Sequence, residues 1–547
     1  VATFDEIDPS SYRKDVCDLL IAIEDEVNTQ ALTVAGIDYW PMLRSIIGHN
    51  FEQKILGRNN EVQTELESKL TSLTRLNRGS DPARSAAPAS KKKYDLGIAP
   101  MGSPQALAPP HGEYARHDPL EELDGYRHLL FSRANRIVDN AGVLKHRDFG
   151  RFLSQRSRSD DGAAGSGKVA FIEYENPLSG YHKGANSYVL REEEGFREVI
   201  AWQYGPRLRR HGSEVYSYLA ELVSKAFQVP KAIFPEVAIW VRYLSNVLGK
   251  MELAYRHLKD ERDLIVYTTL CLDHVHGTQG LVAACKKLAI PTVEIMHGVG
   301  GRHCWPYTHW RQSKSRQYNT LPEYLATWDL TTYTTVLEQK NTGLNGFAPI
   351  YLGNQMENYG ASETAAEIES VTVKAFDKMR QDYRKIVVFA GQHGKGMIPA
   401  VALDAMLKAP KDWLWLIRPH PEVMESADIW AVQLLKSGIT NFETTFANGT
   451  DINLLVKFSD AVVTYFSTVV LLSKLHGKAA VVLGELGQDV FHDYIEKGEM
   501  HLAYTAEDII SKVEQHEPGM QSETRDVYEP GRMFKHIENS IWGPKVN

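Results

Sequence analysis

Four short stretches gather side chains able to do chemistry, and each follows a run that reads as a buried β-strand. In "TVEIMHGVGG" (292–301), Glu294 and His297 put a carboxylate and an imidazole at a strand's C-terminal end. That pair could supply the base or nucleophile of a glycosyl or phosphoryl transfer. A buried, ion-paired Glu and a core-edge His would explain the same residues without chemistry. Glycines at 298, 300 and 301 would let a ligand approach the backbone closely. "GQHGKG" (391–396) offers Gln392, Gly394 and Lys395, a glycine-rich turn with exposed N–H groups and one cation, which suits a phosphate. It is not a P-loop, because the spacing fails and no Ser or Thr follows the Lys, and a plain turn accounts for it equally. "RPHP" (418–421) holds Arg418 and His420 in a turn stiffened by two prolines. In "YFSTVV" (465–470), Ser467 and Thr468 stand where a helix begins, as an anion site or as an ordinary N-cap. Asp273, just past a strand in "LCLDHVHG", is a further catalytic candidate.

Those positions have a common logic. In open parallel sheets, ligands bind beyond the carboxyl ends of the strands. "DLIVYTTL", "GTQGLVAACKKLA" and "IPTVEIMHG" read as strand, helix and strand, a parallel crossover unit. The second half repeats the alternation: strands in "RKIVVFAG", "DWLWLIRPHP", "ITNFETTF", "DAVVTYFS" and "KAAVVLG" are separated by helical patterns. "AEDIISKVEQH" and "GRMFKHIENSIWG" close the chain as helices. The expected fold class is therefore α/β, with two Rossmann-like doubly wound domains facing a central cleft and a helical N-terminal extension.

The chain is divided accordingly. Residues 1–76 read as a helical segment, with "GIDYWPMLRSII" as a docking stretch rather than a free helix. Residues 77–118, rich in Pro, Ala, Ser and Gly, read as a linker or mobile loop, dispensable for folding and the first site of proteolysis. Residues 119–345 form the acceptor and catalytic domain and 346–547 the nucleotide-donor domain.

Composition narrows the function. The 547 residues are 43% hydrophobic and carry a net charge of −8, which argues against a nucleic-acid binder needing a basic face. Four cysteines without CxxC pairing point to a reducing, cytoplasmic setting. No apolar run reaches roughly eighteen residues, so no membrane span is expected. The chain begins with Val and shows no signal-peptide pattern, so the native start is expected to be missing or trimmed. Cys271, His274, His276, His297, His303, Cys304 and His309 crowd one region, yet they lack the spacing of a zinc site, and no metal is expected.

"AIPTVEIMHG", "IRPHP" and "FSDAVVTYFSTVVLLSKLHGKAAVVLG" together resemble bacterial surface-polysaccharide transferases of the GT-B fold. The nearest resemblance is to capsule and O-antigen CMP-Kdo transferases, to which "LLFSRANRIVDNAGVLKHRDFGRFLSQ" is also similar. Polysialyltransferases and CDP-glycerol glycerophosphotransferases share the His-Pro and Ser/Thr motifs. The resemblance spans about residues 126–495. It implies a CMP-linked nucleotide-sugar donor as substrate, with no cofactor, held by His420, Ser467 and Thr468 with Arg418 and the 391–396 loop nearby. It also implies a glycan or lipid-linked glycan acceptor and peripheral association with the inner membrane. His297 matches the histidine resembling a base in the glycerophosphate group, and Glu294 lies where some relatives carry an acidic residue. Met296 stands where relatives commonly have Gln, and the helix after Ser467 lacks a ribose-gripping Glu. The implied function is transfer of an acidic ulosonic sugar, Kdo or a relative. The alternatives are a CDP-polyol phosphotransferase and a non-catalytic nucleotide-sugar-binding subunit.

Overall fold

A computed structural model describes residues 12–29, 32–52, 126–132, 136–138, 144–146, 168–174, 187–190, 210–259, 263–269, 278–296, 298, 300–310, 317–343, 345–353, 363–392, 398–420, 426–516 and 532–543. The expected 77–118 linker lies outside them, as does the helical pattern of 59–76.

Two small antiparallel hairpins pair β1 (Thr33–Val34) with β2 (Ile37–Asp38) and β4 (Arg136–Val138) with β5 (Leu144–His146). The first large sheet contains β3 (Tyr126–Ser132), β6 (Lys168–Tyr174), β7 (Ser187–Leu190), β8 (Ile265–Thr268), β9 (Thr292–Ile295), β10 (Tyr324–Thr327) and β11 (Ala348–Tyr351). Its order is β11-β10-β9-β8-β3-β6-β7, parallel throughout. The second contains β12 (Lys385–Ala390), β13 (Trp413–Arg418), β14 (Phe442–Glu443), β15 (Ala461–Thr464), β16 (Ala479–Leu483) and β17 (His501–Ala503), in the order β14-β13-β12-β15-β16-β17, again all parallel. Each sheet starts in its middle, grows to one side, then returns and grows to the other. That is the doubly wound topology, and the expected pair of Rossmann-like sheets is present. The reversal points lie between β3 and β8 and between β12 and β15.

Strand sequences follow from burial on both faces. "KIVVFA", "WLWLIR" and "AAVVL" are nearly uninterrupted apolar runs, and all but Lys385 and Arg418 are buried. Helices cover the sheets, so no alternation is required.

Two expectations need revision. "GIDYWPMLRSII" does dock, since Tyr39, Trp40, Met42 and Leu43 are buried in the largest core. It is nevertheless β2 followed by a helix over 40–52. Pro41 is tolerated because it falls in that helix's first turn, where its missing N–H has no intrahelical partner. The boundary drawn at 345/346 also falls in front of β11, which is the outer strand of the first sheet. The chain's last helix, Arg532–Trp542, returns to that sheet, packing Met533, Phe534 and Ile537 onto Leu130, Ile265, Tyr267, Val293 and Ile295. The first domain is thus built from both ends of the sequence.

Among the described residues, the largest core runs through the N-terminal segment, the first domain and part of the second. It joins the helix Tyr12–Glu26 to first-domain residues such as Trp240 and Leu325, and to Val470, Val482, Leu486, Val490 and Phe491 of the second domain. Among the described residues, no helix is long and apolar enough to cross a membrane.

Candidate functional site

The second sheet's reversal point brings three of the four stretches together. β12 ends at Ala390 and hands over Gly391 and Gln392, while β15 beside it hands over the loop 465–469. Thr464 links them, donating its hydroxyl proton to the Ala390 carbonyl at 2.8 Å. On the other side of β12, β13 hands over Pro419 and His420. Gly391 N–H donates to the Arg418 carbonyl at 2.7 Å. A Cβ on Gly391 would lie 2.2 Å from the Trp430 ring and 3.2 Å from Pro419 Cα. Glycine is required here for that close approach of the two loops.

Arg418 is half-buried and directed sideways. Its guanidinium donates to the Ala447 carbonyl and, at 2.7 Å, to that of Thr450. It therefore ties down the turn after β14, a positional task. His420 is half-buried at the loop. Gly394 and Lys395 lie outside the described residues.

Ser467 and Thr468 precede a helix shorter than expected: "TVVLLSKLHG" forms only Val470–Leu475. Ser467 Oγ accepts from Val469 N–H at 3.4 Å. Six residues generate a small dipole, so any anion at this loop would rest on hydroxyls and individual N–H groups.

From the first domain, β9 ends at Ile295, and Met296 and Gly298 follow. A Cβ on Gly298 would sit 4.0 Å from Thr468 Cγ2. The loop after β9 thus meets the hydroxyl loop after β15 across the space between the sheets. His297 and Asp273 lie outside the described residues. Glu294 has no exposed surface; Thr268, its register partner on β8, donates a hydroxyl hydrogen bond of 2.5 Å to its carboxylate.

The glycines divide by role. Of Gly298, Gly300 and Gly301, only Gly298 has room for a Cβ without a close clash. A Cβ on Gly300 would lie 2.2 Å from Met296 Cε and 2.5 Å from Thr332 Cγ2, and one on Gly301 2.8 Å from the Val490 carbonyl oxygen. Expected as ligand-facing, these two instead permit close packing, the second between domains.

The aromatic run that follows is also structural. Cys304, Trp305, Tyr307 and Trp310 are buried beneath the N-terminal segment. Arg44 donates to the carbonyls of Trp305 (2.7 Å), Thr308 (3.3 Å) and His309 (2.9 Å), and its guanidinium lies 3.9 Å from the Trp310 ring. Arg302 pairs with Asp493 at 3.1 Å and His303 with Asp489 at 3.1 Å, while Arg13 N–H also reaches Asp489 at 2.7 Å. The described histidines of the crowded region are thus engaged with the second domain and the N-terminal segment. Sequence reasoning missed Asp489 and Asp493; their i,i+4 spacing in "GQDVFHDYIE" was the available signal.

His309 gives this junction a pH dependence. Burial first, then the charges of His303 and Arg44, push its pKa down to about 4. It folds neutral, whereas the unfolded chain takes up the proton near the ordinary value of about 6.5. Stability should therefore fall as pH drops from about 6.5 to about 4, by at most about 1.4 kcal/mol per pH unit for this one proton. The backbone at His309 has φ 60°, which Asn tolerates well. Urea unfolding of His309→Asn should show a flatter pH profile in that window; an unchanged slope would assign the dependence to other groups.

No known protein family and no curated protein matches the sequence. Among solved structures, the chain is similar to HepE from Anabaena in complex with UDP and glucose, at 11% identity and a TM-score of 0.39, over 76% of this chain and 99% of that one. It is also similar to UDP-GlcNAc 2-epimerase from Neisseria meningitidis bound to UDP-GlcNAc, at 14% identity and a TM-score of 0.41, over 76% and 99%. A third is the wall teichoic acid polymerase TagF, at 10% and 0.34, over 76% and 83%. Likenesses this distant carry no argument about chemistry. The fold stands on the strand order.

Proposed function

We propose that the protein is a glycosyltransferase that uses a nucleotide-linked donor, transferring an acidic ulosonic sugar, Kdo or a relative, from a CMP-sugar to a bacterial surface glycan or glycolipid. The observation that carries this reading is the meeting of the two loops, Gly298 opposite Thr468, at the carboxyl ends of two doubly wound sheets. The donor phosphate would lie among His420, Ser467 and Thr468, with Gly394 and Lys395, which follow Gln392 closely in sequence, as further donor-binding candidates. The catalytic group would come from Glu294, His297 or Asp273. A non-catalytic binding subunit would have no need of Glu294, His297 and His420 together.

One feature favours the second reading, polyol-phosphate transfer from a CDP carrier. Glu294 is enclosed and bonded to Thr268, whereas direct attack on a sugar carbon needs an accessible carboxylate. A base at His297 suits the polyol-phosphate reaction. Purified protein should be given CMP-, CDP-, UDP- and GDP-linked donors with a glycan acceptor, scoring the nucleotide released and the transferred group by mass. Since both reactions release CMP, the mass decides between them. Failure to release or bind any nucleotide would overturn both.

Donor binding has its own test. His420→Ala should weaken donor affinity in calorimetry by about 1.5–3 kcal/mol, the scale of a charge-assisted hydrogen bond to phosphate. Unchanged affinity in a folded variant would remove His420 from the donor site.

A further inference from the structure

Gln392 was expected to touch the donor, but its geometry fits a different task. Its terminal amide lies against the loop after β15. With the nitrogen toward the loop, an NH2 group would face the backbone N–H groups of Phe466 and Ser467, donor against donor. With the amide turned over, Oε1 accepts from Phe466 N–H at 3.1 Å and Ser467 N–H at 2.9 Å, and lies 2.7 Å from Thr464 Oγ1. Amide orientation is set by such a network, and only the second satisfies it. The single Thr464 hydroxyl proton then serves either Gln392 Oε1 or the Ala390 carbonyl, 2.8 Å away.

We infer that Gln392 is a positioning residue that holds the 464–468 loop from within and decides which of its donors remain for phosphate. The inference rests on the nucleotide-donor reading above. With the N–H groups of Phe466 and Ser467 occupied by Gln392, a phosphate meets Thr468 N–H and the two side-chain hydroxyls. Among the described residues, nothing accepts from Thr468 N–H. Phe466 packs against the main core, so the loop is anchored by its aromatic ring outside and by the Gln392 amide inside. Gly391, locked between Trp430 and Pro419, fixes the point from which Gln392 reaches.

Two variants separate this role from direct ligand contact. Gln392→Met keeps the length and removes the acceptor. Hydrogen exchange at Phe466 and Ser467 should quicken, and CDP affinity should fall about tenfold, the scale of one lost hydrogen bond. Gln392→Glu keeps an acceptor for both N–H groups, so exchange protection should persist. Its added negative charge should weaken CDP binding while leaving cytidine binding unchanged. Direct contact with the donor predicts instead that both variants lose affinity with exchange protection intact, and that outcome overturns the inference. So does a Met variant with protection and affinity both at wild-type level. If the wild-type protein binds no cytidine nucleotide, the donor reading fails, while exchange in the Met variant still reports whether Gln392 holds the loop.

Discussion

Replacing His297 with Ala should lower kcat by about a hundred- to ten-thousandfold, the range for losing a general base, with donor affinity nearly unchanged. In the sequence His297 stands between Met296, buried just past β9, and Gly298, which lies opposite Thr468. A group acting mainly on the reacting centre changes turnover more than binding. Glu294→Gln is the companion measurement. Gln has the same size and still accepts from the Thr268 hydroxyl, so the fold should stand, and the kcat loss should be smaller than for His297→Ala. A loss as deep would side with carboxylate attack and the ulosonic donor. Near-normal kcat in both variants would leave this loop a purely structural role and direct attention to Asp273.

The largest expected effect on stability is at Arg44. Its side chain and that of Glu24 are essentially inaccessible and pair at 3.1 Å. Glu24 also accepts from the Trp40 indole at 2.8 Å. Arg44→Met replaces the long stem with one of comparable length and removes the charge. That leaves the Glu24 carboxylate enclosed without its counter-charge and three carbonyls without a donor. Breaking a buried pair in this way costs about 3–5 kcal/mol, measurable by urea unfolding. Adding Glu24→Gln should recover part of the loss, because the stranded charge is then gone. If Arg44→Met alone unfolds like the wild-type protein, the N-terminal segment contributes little to holding the 300–310 loop.

The sequence carried the second sheet well because parallel strands buried on both faces are conspicuous: "WLWLI" and "AAVVL" leave little choice of period. β10, "YLAT", and β11, "APIY", went unread because four residues of mixed polarity show no period, and a proline is the second residue of β11. The long helix Glu363–Asp382 was also passed over, its apolar residues thinly spread. At the candidate site, residue types singled out loops that the fold brings together at the carboxyl ends of the sheets. They could not say which glycines face a ligand, since Gly298, Gly300 and Gly301 differ only in what the fold brings against them. Nor could they set apart the part of "HGVGGRHCWPYTHW" that is covered by the N-terminal segment: that burial involves Arg44, more than 260 positions upstream of His309 and Trp310 by sequence number.

The return of the helix Arg532–Trp542 to the first sheet has a consequence for synthesis. His128 of β3 stacks 4.5 Å from Phe534, and its Nε2 lies 3.2 Å from Glu538. Until residues 532–542 leave the ribosome, that face of the first sheet, with Leu130, Ile265, Tyr267, Val293 and Ile295, lacks the cover this helix supplies. Domains usually mature in the order they are translated. Here the earlier domain must wait for the later one, and a ribosome that stalls within the second domain releases a chain with an open apolar face, a natural substrate for chaperones.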